Sequence, residues 1–280
     1  MYHDFESYTI TRRSFLKGAG AVGAAGLLAA CGGSSSSTAA SASSASSGAA
    51  ASGKGLSELF TYETSGREIE SWNMLYSQLA TDFNVTTNII DGLISFDNYG
   101  KPVPALAKSW EHNEDSTVWT FHLRDDVDWV DMNGEVQDHL TSKDFLVGFE
   151  WVLNAKKNQA ANTSMPSTTV VGAADYYDKT YGMDDAAGEA LTYEDMLAAG
   201  VGIDAPDDYT VVYTCMNPCP YFDTVASYVC CYPAPPALVE KLGVEGFRGV
   251  DYTQQWCCGP YLIEEFVSDN SKRFIPNPHY

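Results

Sequence analysis

One stretch of the chain, residues 102–154, constrains the fold more than any other. Within it, residues 119–123 read WTFHL, with an apolar side chain at every second position. That period predicts a β-strand with one buried and one polar face. Residues 131–134 (DMNG) predict a turn, and Thr141 followed by Asp144 predicts the capped start of a helix. Strand, turn and helix are therefore predicted to follow one another within this stretch.

The same stretch resembles a known family. The segments PALAKSW (104–110), WTFHLRDDVDW (119–129) and TSKDF (141–145) are similar to the signature of extracellular solute-binding protein family 5, the oligopeptide and dipeptide receptors of ABC importers. Ser142 departs from the pattern, because the family usually has Ala there. Further matching segments are VGIDAPDDYTVVYT (201–214), NPCPYF (217–222), GPYL (259–262) and NPHY (277–280).

The resemblance implies a periplasmic-binding-protein-like α/β fold, two-lobed and with an extra subdomain. Residues 56–280 would form mainly its N-terminal lobe. In the family a comparable length of chain follows the NPxY segment. We therefore expect a chain truncated after lobe one, without the second lobe and the acidic residue that binds the peptide's N-terminal amine.

The resemblance also implies ligand-binding residues. The segment 70–80 is similar to the one that lines the ligand cleft in the family and offers backbone groups to the bound peptide. This similarity assigns contacts to Ser77, Gln78, Leu79 and Ala80. Asn162, in a polar loop predicted over 155–166, is a further candidate contact. Leu79 is equally well explained as a core residue, as is Leu75.

The N-terminus predicts export and lipidation. Residues 1–30 contain Arg12 and Arg13, as in a twin-arginine signal, followed by an apolar run too short for an ordinary membrane span. LAAC (28–31) resembles a bacterial lipobox, so Cys31 is the predicted lipidation site. Residues 31–55 are almost entirely Ser, Ala and Gly, which is typical of a flexible tether.

The net charge of the chain limits the classes of partner that it can bind. There are 16 Lys and Arg residues against 37 Asp and Glu residues, a net charge of -21. Such acidity argues against nucleic acid and against an anionic membrane surface. The predicted partners are a peptide ligand, ABC permease and ATPase subunits, and the membrane through the lipid anchor only.

No catalytic or metal motif is recognised. The acidic residues of 125–135 do not have EF-hand spacing, because Trp129 occupies a ligand position, and neither HExxH nor GxSxG occurs. We therefore predict a non-enzymatic protein without a cofactor. The alternatives are an exported redox or metal-binding enzyme, or a binding protein for a non-peptide solute such as a nickel complex.

Six cysteines follow Cys31, and three interpretations of them stay open. They could form one or two disulfides, a zinc site, or buried reduced thiols. Cys257 and Cys258 are adjacent, and a bond between adjacent cysteines would strain an eight-membered ring.

Local signals predict the remaining elements. Expected are a first strand at 59–64, a helix at 84–92 before a strand at 93–96, an exposed acidic loop at 182–189, a capped helix at 192–199, a helix at 236–242 ended by Gly243, and strands at 261–266 and 272–275.

Overall fold

A computed structural model of the protein describes residues 68–77, 79–159 and 164–280. The predictions for the first strand, the export signal with Arg12 and Arg13, the tether, Cys31, Gln78 and Asn162 lie outside these residues. No helix among the described residues is long and apolar enough to cross a membrane.

The elements follow one another as a mixture of helices and strands. The helices are α1 (Ala80–Thr86), α2 (Ser142–Leu153), α3 (Ser164–Thr169), α4 (Ala173–Tyr181), α5 (Asp185–Glu189), α6 (Tyr193–Ala198), α7 (Phe222–Ala226) and α8 (Pro236–Arg248). The strands are β1 (Ile94–Phe96), β2 (Pro102–Pro104), β3 (Ala107–His112), β4 (Val118–Leu123), β5 (Asp128–Val130), β6 (Val136–His139), β7 (Ile203–Asp207), β8 (Thr210–Thr214), β9 (Tyr261–Val267) and β10 (Ser271–Pro276).

A four-stranded antiparallel sheet, in the order β3-β4-β8-β7, forms the central layer. The predicted alternation in β4 is confirmed: Trp119, Phe121 and Leu123 are buried, and the residues between them are half-exposed. β4 pairs with β8 so that Trp119 lies opposite Tyr213. Phe222 of α7 packs against both of these rings and Phe121, and this aromatic cluster fills one face of the sheet.

Helix α2 covers the sheet and begins where the sequence predicts. The Asp144 carboxylate accepts hydrogen bonds from the amide and the hydroxyl of Thr141, both at 3.0 Å. Its other oxygen accepts a 2.6 Å bond from the indole of Trp129 in β5. The helix start is thereby tied to a neighbouring hairpin, and α2 packs against β7, β8, α4, α6 and α8.

Three separate hairpins complete the strands: β1-β2, β5-β6 and β9-β10. Residues 131–134 form the predicted turn of the β5-β6 hairpin, and Gly134 has a φ of +79°, which glycine adopts without steric strain. The amide and carbonyl of Val130 bond to Cys257, at 2.9 and 2.7 Å, which fixes this hairpin against the segment leading to β9.

Several predicted boundaries are wrong, each for a local reason. The helix expected at 84–92 instead spans Ala80–Thr86. The acidic loop at 182–189 contains α5, because the Asp184 carboxylate accepts a bond from the Ala187 amide and caps a short helix. The polar loop at 155–166 ends earlier, since α3 begins at Ser164.

Gly243 ends the first helical segment of α8, as predicted, because its φ of +66° and ψ of 177° are not helical. A second helical segment continues beyond this kink to Arg248. The continuation matters because it carries Phe247 and Arg248, two residues that contact the candidate site.

Candidate functional site

The segment from Glu68 to Asp82 carries the residues that the resemblance assigns to ligand binding. Its conformation depends on Asp82, which is fully buried in the first turn of α1. The Asp82 carboxylate accepts hydrogen bonds from the amides of Glu70 and Ser71, at 2.9 and 3.1 Å, and from the Ser77 hydroxyl at 2.6 Å. The buried Asp82 carboxylate therefore holds the irregular segment that begins at Glu70 against the first turn of α1.

The same segment is attached to the C-terminal part of the chain. The Asn73 side-chain amide donates to the carbonyl of Phe247 at 2.8 Å, and its oxygen accepts from the Leu75 amide at 3.0 Å. The Trp72 ring lies 5.3 Å from the rings of both Tyr252 and Phe266. These contacts position the segment relative to α8 and β9, which the sequence alone does not reveal.

The described members of the predicted ligand set differ in exposure. Ser77 is buried, and its hydroxyl bonds Asp82 while accepting a 3.1 Å bond from the Leu79 amide. Leu79 is half-buried, and its carbonyl accepts from two amides of α1. Ala80, the first residue of α1, is exposed. Ser77 and Leu79 therefore shape the segment, and Ala80 presents a side chain at the surface. Leu75 is a core residue, 2% exposed.

A direct contact joins this segment to the loop after α2. The Tyr76 hydroxyl donates to the Gln159 side-chain oxygen at 2.8 Å. Gln159 immediately precedes residues 160–163, which include Asn162. This bond brings Tyr76, the residue before Ser77, next to Gln159, although the two residues are 83 positions apart in sequence.

The loop that ends at Gln159 is held by a buried ion pair. The Lys157 ammonium donates to the Glu150 carboxylate at 2.7 Å and to the carbonyl of Leu191 at 2.5 Å. Glu150 also accepts bonds from Tyr176 and Asn154, at 2.9 and 2.8 Å. Burial and the Glu150 carboxylate raise the pKa of Tyr176. Both charges are buried and are hydrogen-bonded to each other and to neighbouring polar groups, which is the condition under which a buried pair is tolerated.

Arg248 links this loop to α8. Its guanidinium donates to the carbonyls of Lys157 and Lys156, at 2.9 and 2.8 Å, and pairs with Glu189 at 3.1 Å. A hollow of about 490 Å³ lies between α8 and the segment from Glu70 to Tyr76. Its lining residues are Glu70, Ser71, Trp72, Tyr76, Glu245, Arg248, Gly249, Val250 and Asp251.

Sequence reasoning missed Asp82, the residue that organises the site. Asp82 occupies the third position of α1, where acidic side chains commonly satisfy free amides at a helix N-terminus. The helix was expected to begin four residues later, at Asn84, so Asp82 was not recognised as a residue of its first turn. Lys157 and Glu150 are only seven positions apart, but their burial depends on Leu191 and Tyr176, which lie 34 and 26 positions away from them. The partners of Arg248 lie 59 to 92 positions away along the chain.

The aspartates of the acidic stretch 125–135 make separate contacts with nearby groups. Asp126 pairs with Arg124 at 2.8 Å, and Asp128 lies 2.8 Å from His139. The Asp131 carboxylate accepts from the amides of two residues in its own turn. Among the described residues, no group of three or more His, Cys, Asp or Glu side chains is arranged to hold a metal ion.

The six cysteines of the described region are buried free thiols. Burial raises the pKa of the Cys257 and Cys258 thiols well above their usual range. These two thiols are therefore protonated near neutral pH and are poor nucleophiles. The groups around the candidate site offer hydrogen bonds, charges and shape, which suit non-covalent binding.

Comparisons with known proteins agree with this architecture. Residues 101–280 match the family described as bacterial extracellular solute-binding proteins, family 5 Middle, and residues 9–29 match a twin-arginine translocation pathway signal sequence. The oligopeptide-binding protein SarA of Streptococcus gordonii is 30% identical over 211 residues, which are 75% of this chain and 29% of SarA. The periplasmic oligopeptide-binding protein OppA of Escherichia coli is 29% identical over 216 residues, 77% of this chain and 35% of OppA.

A solved structure shows the same fold. Haemophilus influenzae OppA in complex with the peptide RPPGFSPFR matches with a TM-score of 0.63 and 28% identity, over 77% of this chain and 37% of that protein. The chain thus spans about a third of the length of the curated relatives it matches. The predicted periplasmic-binding-protein-like α/β fold is confirmed, and the chain belongs to the bacterial extracellular solute-binding proteins of family 5.

Proposed function

We propose that this chain is part of an exported, lipid-anchored receptor that captures oligopeptides or dipeptides and delivers them to an ABC permease. The observation that carries the proposal is the family match over residues 101–280, together with relatives named as oligopeptide-binding proteins. The twin-arginine signal at residues 9–29 supports export. No enzymatic step is needed, since such a receptor works by binding and release.

Peptide capture would use the segment organised by Asp82. In this proposal Ser77, Gln78, Leu79, Ala80 and Asn162 lie along the bound peptide, which binds through its backbone much as an added β-strand does. The internal bonds of Ser77 and Leu79 limit their part to shaping the wall. A preformed wall of this kind favours binding, because less chain has to be ordered when the ligand arrives.

Capture would be coupled to closure of two lobes. The ligand favours the closed arrangement only to the extent that it contacts both lobes, so binding and closure are one equilibrium. The permease and its ATPase would then recognise the closed receptor. The 31–55 segment serves in this proposal as a tether between the lipid on Cys31 and the folded receptor over 56–280.

A bulky side chain at Ala80 tests the site directly. Ala80 is exposed at the start of α1, so Ala80→Trp should leave the fold intact and obstruct a peptide lying against this wall. We expect the affinity for RPPGFSPFR, measured by isothermal titration calorimetry, to fall at least about tenfold, which corresponds to about 1.4 kcal/mol.

Ala186→Trp is the matched control, because Ala186 is likewise an exposed alanine in a short helix. This variant should bind the peptide as the parent protein does. Equal affinity in both variants would remove Ala80 from the binding wall. Failure of the parent protein to bind any of a broad peptide mixture, combined with tightly held metal or a visible absorbance band, would favour the metal or redox alternative over peptide capture.

A further inference from the structure

Four of the buried cysteines, Cys215, Cys219, Cys230 and Cys231, lie outside the candidate site. Burial, together with the nearby Cys231 and Cys230 thiols, raises the pKa of Tyr213 in β8. Cys215 follows β8 directly, and Cys219 comes four residues later in the loop that reads CMNPC. Cys215 and Cys219 are each 4% exposed, against 0% for Cys230 and 2% for Cys231.

The backbone holds Cys215 and Cys219 side by side. The Cys215 amide donates to the carbonyl of Thr117 at 2.7 Å, and the Cys219 amide donates to the carbonyl of Ser116 at 3.0 Å. Because their amides bond to two consecutive residues, Thr117 and Ser116, the backbones of the two cysteines lie against the same turn. Burial and the nearby Cys219 thiol raise the pKa of Cys215 to about 12.

The other neighbouring pairs are less suited to a bond. Cys230 and Cys231 are adjacent in sequence, and their sulfur atoms lie 4.0 Å apart. Joining them, or Cys257 and Cys258, would close an eight-membered ring that includes the peptide bond between them, and this geometry stores strain. Cys215 and Cys219 are separated by three residues, so a bond between them would close a larger ring without that constraint.

We infer that Cys215 and Cys219 form an intramolecular disulfide once the protein is outside the cytoplasm, whereas the four remaining described cysteines stay as thiols. The oxidant is a disulfide of general form RSSR, such as that of a thiol-disulfide oxidoreductase or of glutathione. One cysteine thiolate attacks RSSR and releases RS⁻, giving a mixed disulfide. The second cysteine then attacks that cysteine's sulfur and releases the second RS⁻. Two cysteine thiols are oxidised, RSSR is reduced to two RSH, and the two cysteine protons pass to the leaving thiolates.

Closing this loop has a structural consequence. The CMNPC loop connects β8 to α7, which supplies Phe222 to the aromatic cluster on the sheet. A covalent link across it restricts the unfolded chain and so favours the folded form. Because attack requires a thiolate, the bond should form faster at pH 9 than at pH 7.

Peptide mapping after oxidation tests the inference. The full chain is incubated with glutathione disulfide, its free thiols are blocked with N-ethylmaleimide under denaturing conditions, and it is digested with chymotrypsin. Cleavage after Tyr213, Tyr221, Tyr228, Phe247, Trp256 and Tyr261 places the three cysteine pairs on three separate peptides, and Tyr232 is not cleaved because Pro233 follows it. We expect the peptide of residues 214–221 to carry no maleimide and to have lost two hydrogens, and peptides 229–247 and 257–261 to carry two maleimides each.

Two variants serve as controls. Cys215→Ser should make Cys219 fully reactive towards maleimide or leave it as a glutathione adduct. Cys230→Ser should leave the disulfide in peptide 214–221 unchanged. Two maleimides on peptide 214–221 after oxidation would overturn the inference, and so would a bond that joins it to peptide 229–247.

Discussion

Lys157 and Glu150 form a charged pair in the interior, beside the candidate site. Lys157 is 8% exposed and Glu150 is 2% exposed. Water solvates neither charge well, so each depends on the other and on the surrounding carbonyl, amide and hydroxyl groups. The pair positions the loop that ends at Gln159, the partner of Tyr76. A single residue change here should therefore affect both stability and the site.

Lys157→Met tests the pair at the residue scale. The variant leaves the Glu150 carboxylate buried without its counter-charge, so we expect the free energy of unfolding to fall by about 3–5 kcal/mol. Urea unfolding monitored by tryptophan fluorescence measures this change. Adding Glu150→Gln should restore part of the loss, because the uncompensated charge is then removed.

Lys156→Met provides the comparison for that prediction. Lys156 pairs with Asp185, whose side chain is 85% exposed, at 3.1 Å. A solvent-exposed pair contributes little, so the expected loss is at most about 1 kcal/mol. Equal losses in the two lysine variants would contradict the role assigned to the buried pair.

Helix α2 is the element on which the sheet, the hairpin and the loop to Gln159 depend. Its N-terminus is fixed by Asp144, and the segment 232–234 passes against its middle. The Ala234 amide donates to the carbonyl of Asp144 at 3.0 Å, which adds a backbone link between the two. Two predictions concern this helix, one for its packing and one for its cap.

Gly148→Ala should destabilise the protein although alanine favours a helix. A Cβ at position 148 would overlap the carbonyl oxygen of Tyr232 and lie 3.1 Å from the Ala234 nitrogen. Helix propensity would gain about 1 kcal/mol, but displacing packed backbone should cost about 1–3 kcal/mol more than that gain. The free energy of unfolding in urea measures the net loss.

Gly182→Ala is the matched glycine control. Gly182 follows α4 with a φ of -77°, and the nearest atoms to an added Cβ lie 3.6 Å away. This change should be neutral or stabilise by up to about 1 kcal/mol. If Gly148→Ala behaved in the same way, α2 would not be in tight contact with the segment 232–234.

The cap of α2 should make stability depend on pH. Burial raises the pKa of Asp144 from its ordinary 3.8 to about 6, despite hydrogen bonds from Thr141 and Trp129 that lower it. The folded protein thus holds this proton more tightly than the unfolded chain does. The stabilisation is fully present below about pH 4 and is lost as the pH rises through about 6, a difference of about 3 kcal/mol.

Asp144→Asn should remove this contribution. We expect the free energy of unfolding of the variant to change less between pH 4.5 and pH 7 than that of the parent protein, whatever the absolute loss from the altered cap. Asp204→Asn, at an exposed aspartate in β7, should keep the parent's pH profile. Identical profiles for parent and Asp144→Asn would show that Asp144 does not titrate in this range.

At the scale of the whole molecule, the net charge of the chain bears on the lipid anchor proposed at Cys31. Removal of residues 1–30 takes away three basic and two acidic residues and leaves a net charge of -22. A protein of this charge is repelled by anionic lipid headgroups. Attachment to the membrane would therefore depend on the lipid at Cys31 alone.

Cys31→Ser tests this dependence. The variant should pass from the membrane fraction to the soluble exported fraction, since its net negative charge is repelled by anionic lipid headgroups. Cell fractionation and immunoblotting at low and at high salt measure the distribution, with Cys257→Ser as a cysteine control. Retention of Cys31→Ser on the membrane at low salt, followed by release at high salt, would indicate electrostatic attachment instead.

Much of the fold could be predicted because its signals are local. The strand at 118–123 follows from an alternation of side chains, and the helices after Thr141 and Thr192 follow from a side chain three residues away. The capping bond between Thr192 and Asp195 measures 2.9 Å and needs no distant partner. Such signals involve only residues that are close in sequence, so they could be recognised before the structure was known.

The candidate site could be predicted only in part. The resemblance pointed to residues 77–80, but the burial of Ser77 and the exposure of Ala80 depend on Asp82 and on how α1 begins. The Asn73 bond to Phe247 spans 174 positions of sequence. No local pattern encodes a contact of that separation.

The sequence by itself therefore determined the family, the export signal, and the strands and helix caps that neighbouring residues specify. Only the tertiary structure decided which charges are buried, which members of the predicted ligand segment face solvent, and that the six cysteines of the described region are buried. The physical reason is that burial and long-range hydrogen bonds arise when distant segments pack together, and their energies depend on surroundings that the linear order of residues does not contain.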